Sequence, residues 1–196
     1  MKVSITGHTN GLGLALKNVL DSMIGESNTI GFSLSTGYDI SNPADRERIF
    51  EESKDCDVFI NNAFHQTGQL ELLKLFSERW NGLNKKIINI GSTIIFVDQN
   101  RIKFPFLKEY SSAKILQDDF CRNNLLTLYP TIVSVIPGAM ETRMTDHPGA
   151  TIYKMKVDEV ADLIWRQVLN SPSILPRYVV IGHPMEATNY DSIVGD

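Results

Sequence analysis

Residues 1–23, MKVSITGHTNGLGLALKNVLDSM, combine a short strand pattern, a glycine-rich turn and a helix pattern. The β-branched run at the start predicts a strand, and the apolar residues at helical spacing after it predict an amphipathic helix. Gly7, Gly11 and Gly13 lie between the two, where they permit a tight turn, close backbone approach to a phosphate and close packing of helix on strand. The start of such a helix offers free N–H groups to a pyrophosphate. The turn therefore predicts a dinucleotide site, and a glycine-rich loop without a ligand is the alternative.

The rest of the chain alternates strand and helix patterns. Strands are predicted in NTIGFS, CDVFINNA, KKIINIGS, PTIVSVIPG and RYVVIG. Helices are predicted in NPADRERIFEES, LELLKLFSERW, residues 109–126 and KVDEVADLIWRQVLN, and residues 93–108 are predicted to be irregular. Such alternation is typical of a parallel sheet covered on both faces. The predicted fold class is α/β, a single doubly wound Rossmann-like domain over residues 1–196.

Composition and charge fit that class. The length of 196 residues suits one domain, and fractions of 42% hydrophobic and 21% charged residues are ordinary for a globular protein. A net charge of −4 gives no reason to expect nucleic acid or a membrane as a partner. We find no apolar run of membrane-spanning length and no signal-peptide pattern at the start. Cys56 and Cys121 lie outside any Cys/His cluster, which predicts reduced thiols in a cytoplasmic protein and no metal site.

The segment EYSSAK, residues 109–114, places Tyr110 and Lys114 one helical turn apart with only small residues between them. A cation at this spacing would lower the pKa of the phenol and make it a proton donor near neutral pH. Two neighbours on a solvated helix face are the alternative interpretation.

Further motifs follow the predicted strands, and their order resembles that of the short-chain dehydrogenase/reductase family. The T-G-x-x-x-G-x-G spacing of residues 6–13 is similar to the cofactor loop of that family. NNAF at 61–64 resembles the family's N-N-A-G, with Phe64 in place of glycine. PGAMET at 137–142 resembles its P-G followed by threonine. Asp39 in YDIS resembles its acidic residue at the adenine.

The same resemblance assigns the catalytic positions. Ser92 in INIGS resembles the family's catalytic serine, and Tyr110 and Lys114 match its Y-x-x-x-K pair. The match extends from Lys2 to about Gly182. It implies an NAD(P)-dependent oxidoreductase that interconverts a small-molecule carbonyl and alcohol.

The roles of the residues are carried over from the family. Tyr110 would exchange the proton at the substrate oxygen, and Ser92 would hydrogen-bond that oxygen. Lys114 would stay cationic, lower the pKa of Tyr110 and donate to the nicotinamide ribose. The implied cofactor contacts are Gly7, Thr9, Asn10, Gly11, Leu12, Gly13, Ser33, Ser35, Asp39, Ile40, Asn62, Ala63, Tyr110, Lys114, Pro137, Gly138, Met140 and Thr142.

Some of these residues have a simpler interpretation. Asn62 would serve equally as a turn residue after a strand, and Thr142 as a helix N-cap. His8 and His65 are interpreted as structural hydrogen-bonding residues beside the cofactor motifs.

The segment GFSLSTG after the second predicted strand bears on the choice of cofactor. NAD sites usually carry an acidic residue there, which bonds the ribose 2′-hydroxyl. Ser33, Ser35 and Thr36 stand in this segment instead, so a 2′-phosphate would not be repelled. The segment contains no Arg or Lys that could pair with a 2′-phosphate, and Asn10, the residue before Gly11, is not basic either. The sequence favours NADP over NAD.

The chain departs from the family in its length. Segments are missing after the second strand and between Ala63 and Ile87, and the second gap removes much of the helix that carries a catalytic asparagine in relatives. No position matches that asparagine. The gap also removes surface that relatives use for assembly, which leaves a homo-oligomer, dimer or tetramer, open.

Two segments are candidates for substrate contact. Phe96, Phe104 and Phe106 lie in the long stretch between serine and tyrosine, where they either line a substrate pocket or pack. Residues 141–154 follow a strand where relatives carry a substrate-covering loop, which predicts a lid.

Two other functions are consistent with these motifs. One is a cofactor-binding sensor without turnover on the same fold. The other is a nucleotide-sugar epimerase or dehydratase, for which the chain has little length after its last strand.

Overall fold

The computed structural model describes residues 1–142, 145, 153–170 and 175–183. Within these residues, strands β1 to β6 span Val3–Thr6, Thr29–Phe32, Val58–Asn61, Lys86–Ile90, Thr131–Pro137 and Tyr178–Ile181. They form one sheet in the order β2-β1-β3-β4-β5-β6, and every neighbouring pair is parallel. Helices α1 to α5 span Gly11–Ile24, Pro43–Ser53, Gly68–Arg79, Pro105–Asn123 and Val157–Ile164.

The helices cover both faces of the sheet, because alternate residues of each strand point to opposite sides. Val58 and Ile60 belong to a core shared with α1 and α5. Phe59, between them, belongs to a second core shared with α2 and α3, to which Cys121 of α4 also contributes. The predicted doubly wound Rossmann-like fold is confirmed.

The order of the strands reverses between β1 and β3. The chain leaves β1 toward β2 at one edge of the sheet and then returns to form β3 on the other side of β1. Ligands of doubly wound folds bind at such a reversal, beyond the carboxyl ends of the strands. The glycine turn after β1 and the NNAF segment after β3 meet at this point.

Two predicted helices differ most from the structure. The helix expected over residues 109–126 begins at Pro105, because proline suits the first turn of a helix, where its missing N–H is not needed. The irregular stretch before it contains short 3₁₀ turns at Thr93–Phe96 and Gln99–Arg101. The helix expected up to Asn170 changes at Trp165 into a π-helical turn. Among the described residues, none of the helices has the length and apolar character that a bilayer crossing requires.

The second core is built around Phe76 of α3. Its ring stacks on Phe59 with 3.7 Å between centroids, and it meets Phe50 and Trp80 edge-on at 5.2 and 4.9 Å. All four side chains are buried. Aromatic contacts of this kind add to the gain from burial, so this cluster holds α3 and α2 on the sheet.

Replacing Phe76 with alanine should therefore destabilise the protein strongly. We expect Phe76→Ala to lower the free energy of unfolding by about 3–5 kcal/mol, measured by urea denaturation. Leu126→Ala is the matched control, since Leu126 is 94% exposed; its effect should stay within about 0.5 kcal/mol. Equal losses for the two variants would show that the aromatic cluster does not anchor the core.

Candidate active site

The glycine turn after β1 is packed against its neighbours. Gly7 has a φ of +73°, which favours glycine, and its N–H donates to the carbonyl of Phe32 at 2.7 Å. A Cβ on Gly13 would lie 2.1 Å from the Gly7 carbonyl oxygen, so α1 packs on the turn as closely as backbone allows. A Cβ on Gly11 would lie 3.2 Å from the Thr142 side chain. The turn and the segment after β5 are thus neighbours, as the cofactor prediction requires.

The start of α1 is open. Asn10 is its N-cap residue but makes no side-chain hydrogen bond to the first turn, and that turn carries no acidic residue. Since no side chain caps this helix start, its backbone N–H groups are of the kind that bind anions.

Asn62 and Ala63 tie the end of β3 to the end of β1. Their N–H groups both donate to the Thr6 hydroxyl oxygen at 3.0 Å, and the Asn62 amide donates to the Thr6 carbonyl at 3.0 Å. Asn62 therefore has a structural task at this edge, the simpler of the two interpretations of its sequence position.

Four hydroxyl groups cluster between the turns that follow β1 and β2. Ser33 Oγ lies 2.9 Å from Ser35 Oγ and 3.2 Å from Thr36 Oγ1. Ser35 Oγ donates to Thr9 Oγ1 at 3.2 Å. The cluster is uncharged, and it brings Thr9, Ser33 and Ser35 of the predicted cofactor contacts together.

Asp39 and Ile40 shape the turn that leads to α2. Asp39 Oδ1 accepts from the Ser41 N–H at 2.8 Å, and hydrogen bonds from Ser41 hold the pKa of Asp39 below its ordinary value. Ile40 is buried, and its carbonyl accepts from Arg46 at 2.8 Å. A Cβ on Gly68 would lie 2.3 Å from that carbonyl oxygen, so α3 begins directly against this turn.

Ser92 and Tyr110 are brought together, as predicted. Ser92 follows β4 and accepts from the Ile94 N–H at 3.4 Å, at the start of the 3₁₀ turn. Burial raises the pKa of Tyr110, and the nearby Ser92 hydroxyl lowers it by less. The pKa of Tyr110 therefore lies above its ordinary value, opposite to the predicted direction. The reason is that desolvation of the phenolate outweighs the stabilising effect of the Ser92 hydroxyl.

Lys114 is buried, with 3% of its surface exposed. Its Nζ donates to Gln69 Oε1 at 2.7 Å, to the Ile90 carbonyl at 2.8 Å and to Gln117 Oε1 at 3.4 Å. Burial lowers the pKa of Lys114 to about 7, because desolvation disfavours the charged form. The sequence predicts a lasting cation directed at a ribose, whereas the structure directs its donors to three uncharged protein acceptors.

Gln69 and Gln117 are site residues that the motifs do not reveal. Gln117 lies three residues after Lys114, and this helical spacing is a signal that places it on the same face. Gln69 is distant in sequence and carries no such signal. Its closeness to Lys114 arises only when α3 packs beside α4.

Phe64 also belongs to the site. Its ring meets that of Tyr110 edge-on, with 4.7 Å between centroids, and Lys114 Nζ lies 5.3 Å from its centre. Lys114 Nζ is 5.7 Å from the Tyr110 ring centre, so two aromatic rings flank the ammonium. The residue that replaces the family's glycine thus covers the tyrosine–lysine pair.

Three phenylalanines between Ser92 and Tyr110 remain outside the core. Phe96, Phe104 and Phe106 are 54%, 45% and 49% exposed. The ring centroids of Phe104 and Phe106 lie 5.9 Å apart, with the rings tilted against each other. Burial in the core does not account for any of the three.

The predicted contacts after β5 lie on a short extended segment. The Gly138 N–H donates to the Ile181 carbonyl at 2.8 Å, directly after Pro137, the last residue of β5. Met140 forms an isolated bridge with Met155, and the Thr142 N–H donates to the Met140 carbonyl at 2.8 Å. Residues 143, 144 and 146–152 of the predicted lid lie outside the described residues.

A cavity of about 380 Å³ lies beside α5 and β6. It is lined by Glu141, Lys154, Met155, Lys156, Glu159, Val160, Leu163, Ile181, Gly182 and His183. Glu141 and Lys154 of the predicted lid are among these residues, whereas none of the predicted catalytic or cofactor-binding residues is. In the described part of the chain, no group of three or more His, Cys, Asp or Glu side chains is placed to hold a metal ion.

Comparison with known proteins identifies the fold. Neither a family model nor a curated protein matches the sequence. The chain is similar to the 3-alpha-hydroxysteroid dehydrogenase of a Pseudomonas species, solved with NADH, with a TM-score of 0.73, 19% identity and coverage of 96% of this chain and 98% of that chain. It is similar to a short-chain dehydrogenase of Burkholderia cenocepacia, solved with NADP, with a TM-score of 0.70, 20% identity and coverage of 96% and 92%.

A short-chain dehydrogenase/reductase of Vibrio parahaemolyticus gives a TM-score of 0.70 at 16% identity, over 92% of this chain and 98% of that chain. At such identities the likeness concerns the fold. The chain has the fold of the short-chain dehydrogenase/reductases, as the motifs predict.

The lowered pKa of Lys114 predicts a pH-dependent stability. An ordinary lysine titrates at 10.5, and Lys114 in the folded protein at about 7. Between these values the unfolded chain binds one more proton, so the free energy of unfolding of the wild type rises with pH. Relative to Lys114→Met, it should rise by about 1 kcal/mol between pH 7.5 and pH 8.5, measured by urea denaturation.

Lys103→Met is the control, because it removes an exposed ammonium from the same region. Its difference from the wild type should be the same at both pH values. The same constant difference for Lys114→Met would contradict a lowered pKa.

Proposed function

We propose that this protein is an NAD(P)-dependent oxidoreductase that interconverts a carbonyl and an alcohol, with Tyr110 as acid and base. The observation that carries the proposal is the position of Ser92 beyond the carboxyl end of β4, where its hydroxyl is close enough to Tyr110 to lower the pKa of the phenol. Ligands of doubly wound folds bind at this edge. Further support comes from the neighbours in fold, which include dehydrogenases solved with NADP and with NADH.

The residues at the glycine turn suit a dinucleotide. Gly7 and Gly13 have no room for a side chain, so backbone alone faces the space at the start of α1. Its uncapped N–H groups would bind the pyrophosphate, and the hydroxyl cluster of Thr9, Ser33 and Ser35 would bind the adenosine ribose or its phosphate. When bound, a nicotinamide cofactor supplies or accepts the hydride.

Tyr110 and Ser92 would handle the substrate oxygen together. In reduction the phenol gives its proton to the oxygen of the former carbonyl, and in oxidation the phenolate takes the hydroxyl proton back. The Ser92 hydroxyl would hold that oxygen within reach of the phenol. Lys114 would favour the phenolate when it is charged, since an opposite charge nearby lowers the pKa of a phenol.

Removing the phenol oxygen tests this assignment. We expect Tyr110→Phe to lower kcat for carbonyl reduction by about 10²–10⁴-fold, because general acid catalysis contributes that much. NADPH affinity, measured by calorimetry, should change little. Tyr129→Phe is the control, since this tyrosine precedes β5 at the opposite edge of the sheet. Full reductase activity in Tyr110→Phe would refute the assignment of Tyr110 as the acid.

The hydroxyl cluster supports a preference for NADP over NAD. Ser33, Ser35 and Thr36 place only neutral hydrogen-bonding groups after β2, so a 2′-phosphate meets no negative charge there. We expect calorimetry to give tighter binding of NADPH than of NADH.

A carboxylate in this cluster should reverse the preference. We expect Ser35→Asp to weaken NADPH binding at least about tenfold through charge repulsion and to leave NADH binding equal or tighter. Leu126→Asp adds the same charge at an exposed and distant position as a control. Equal weakening of both cofactors by Ser35→Asp would place the cluster outside the 2′ subsite.

A cofactor-binding protein without turnover is the second candidate. The observation that favours it is the commitment of the Lys114 donors to Gln69, Ile90 and Gln117, together with the raised pKa of Tyr110. Micromolar NADPH binding without oxidation across a panel of aldehydes and ketones would support this candidate over the enzyme.

A further inference from the structure

The buried amide of Gln69 is the closest hydrogen-bond partner of Lys114. We propose that Gln69 is a positioning residue, which holds the Lys114 amino group beside Tyr110 and, being uncharged, leaves that group able to gain or lose a proton. The inference rests on the proposed function, in which Lys114 acts next to Tyr110.

The Gln69 side chain is fixed at both of its polar atoms. Nε2 donates to the Asn61 carbonyl at 2.8 Å and to the Ile90 carbonyl at 3.1 Å, while Oε1 accepts from Lys114 at 2.7 Å. Only the NH₂ end of the amide can face two carbonyl oxygens, so Oε1 must face Lys114. The orientation of this amide therefore follows from its partners.

The backbone around Gln69 is equally constrained. The Gln69 carbonyl accepts from Asn61 Nδ2 at 2.8 Å, and Asn61 Nδ2 also donates to Asn89 Oδ1 at 3.0 Å. Gly68, just before it, has no space for a Cβ because of the Ile40 carbonyl. Gln69 is completely buried. A residue held in this way places its side-chain oxygen at one position with little freedom to move.

The described groups around the Lys114 amino group are mostly neutral or paired with another charge, so few of them stabilise its protonated form. On α4, Tyr110 is a neutral phenol, and burial raises the pKa of Cys121 to about 12, so its thiol is neutral as well. Asp118, one turn beyond Lys114, is paired with Arg122 at 2.6 Å. From the other elements packed against it, the described contacts of the amino group are the Gln69 amide, the Ile90 carbonyl and the Phe64 ring.

The chemistry of residue 69 then decides how firmly Lys114 keeps its proton. A glutamate would place a carboxylate against the ammonium and favour the charged form, which raises the pKa of Lys114. A methionine of similar length would remove the nearest acceptor, disfavour the charged form and leave the amino group loosely held. Both variants alter the pKa of Lys114 while the lysine itself stays unmutated.

The test is a direct titration of Lys114. In protein labelled with ¹³C-lysine, the Cε resonance of Lys114 is assigned by its absence in Lys114→Met and followed by NMR from pH 5 to 10.5. The wild-type midpoint should lie at about 7. Gln69→Glu should raise the midpoint by about one to three pH units, and Gln69→Met should lower it.

Gln66→Glu is the matched control. It adds the same charge three residues earlier on an exposed side chain, so the Lys114 midpoint should stay near the wild-type value. An unmoved midpoint in folded Gln69→Glu would overturn the inference. If circular dichroism shows that Gln69→Glu does not fold, Gln69→Met decides, and an unmoved midpoint there overturns it as well.

A second measurement separates this inference from the proposed function. Calorimetry of Gln69→Met should show NADPH affinity about tenfold below that of the wild type, because Lys114 loses its closest acceptor and keeps only the Ile90 carbonyl and Gln117. Unchanged affinity would overturn the positioning role. A folded wild type that binds no NADPH would overturn the proposed function, whereas the NMR midpoints would still report whether Gln69 controls Lys114.

Discussion

Burial of the Lys114 amino group is the constraint on which the rest of the site depends. An ammonium without partners is costly in a protein interior, so the elements around it must supply acceptors. β4 supplies the Ile90 carbonyl, α3 supplies Gln69, and α4 itself supplies Gln117. Gln69 needs donors and acceptors in turn, and it finds them on Asn61 at the end of β3. The hydrogen bonds around one buried amino group therefore join two strands, β3 and β4, to two helices, α3 and α4.

The other half of the same edge is organised without charge. The Thr6 hydroxyl at the end of β1 accepts hydrogen bonds from two N–H groups after β3. The Asn62 side-chain amide also donates to the Thr6 carbonyl. Close contact between Gly13 and the Gly7 carbonyl then sets the start of α1 against this junction. The side chain of Asn10 does not cap this helix, and under the proposed function its first N–H groups bind the pyrophosphate.

The sequence predicts the fold better than it predicts the contacts of the site. Strand periodicity and the glycine turn are local signals, so the parallel sheet could be predicted. The differences concern helix bounds, such as the start of α4 at Pro105, and the short 3₁₀ and π-helical turns. The closeness of Ser92 to Tyr110 could be predicted, because functional side chains of doubly wound folds gather beyond the carboxyl ends of the strands. The contact of Gln69 with Lys114 depends on how α3 packs beside α4. The contact of the Phe64 ring with the Tyr110 ring depends on the direction in which the Phe64 side chain points. Neither leaves a periodic pattern in the sequence.

The protonation equilibrium of Lys114 links the proposed cofactor site after β1 and β3 to Tyr110 beside β4. Burial lowers the pKa of Lys114 to about 7, so the charged form is favoured far less than in an exposed lysine. Under the proposed function, an additional acceptor such as a ribose hydroxyl would shift the balance toward the ammonium, because a hydrogen bond to the charged form raises the pKa of an amine. The ammonium in turn favours the phenolate of Tyr110, so cofactor binding and the readiness of the acid/base group are linked through a buried group that is held by neutral partners.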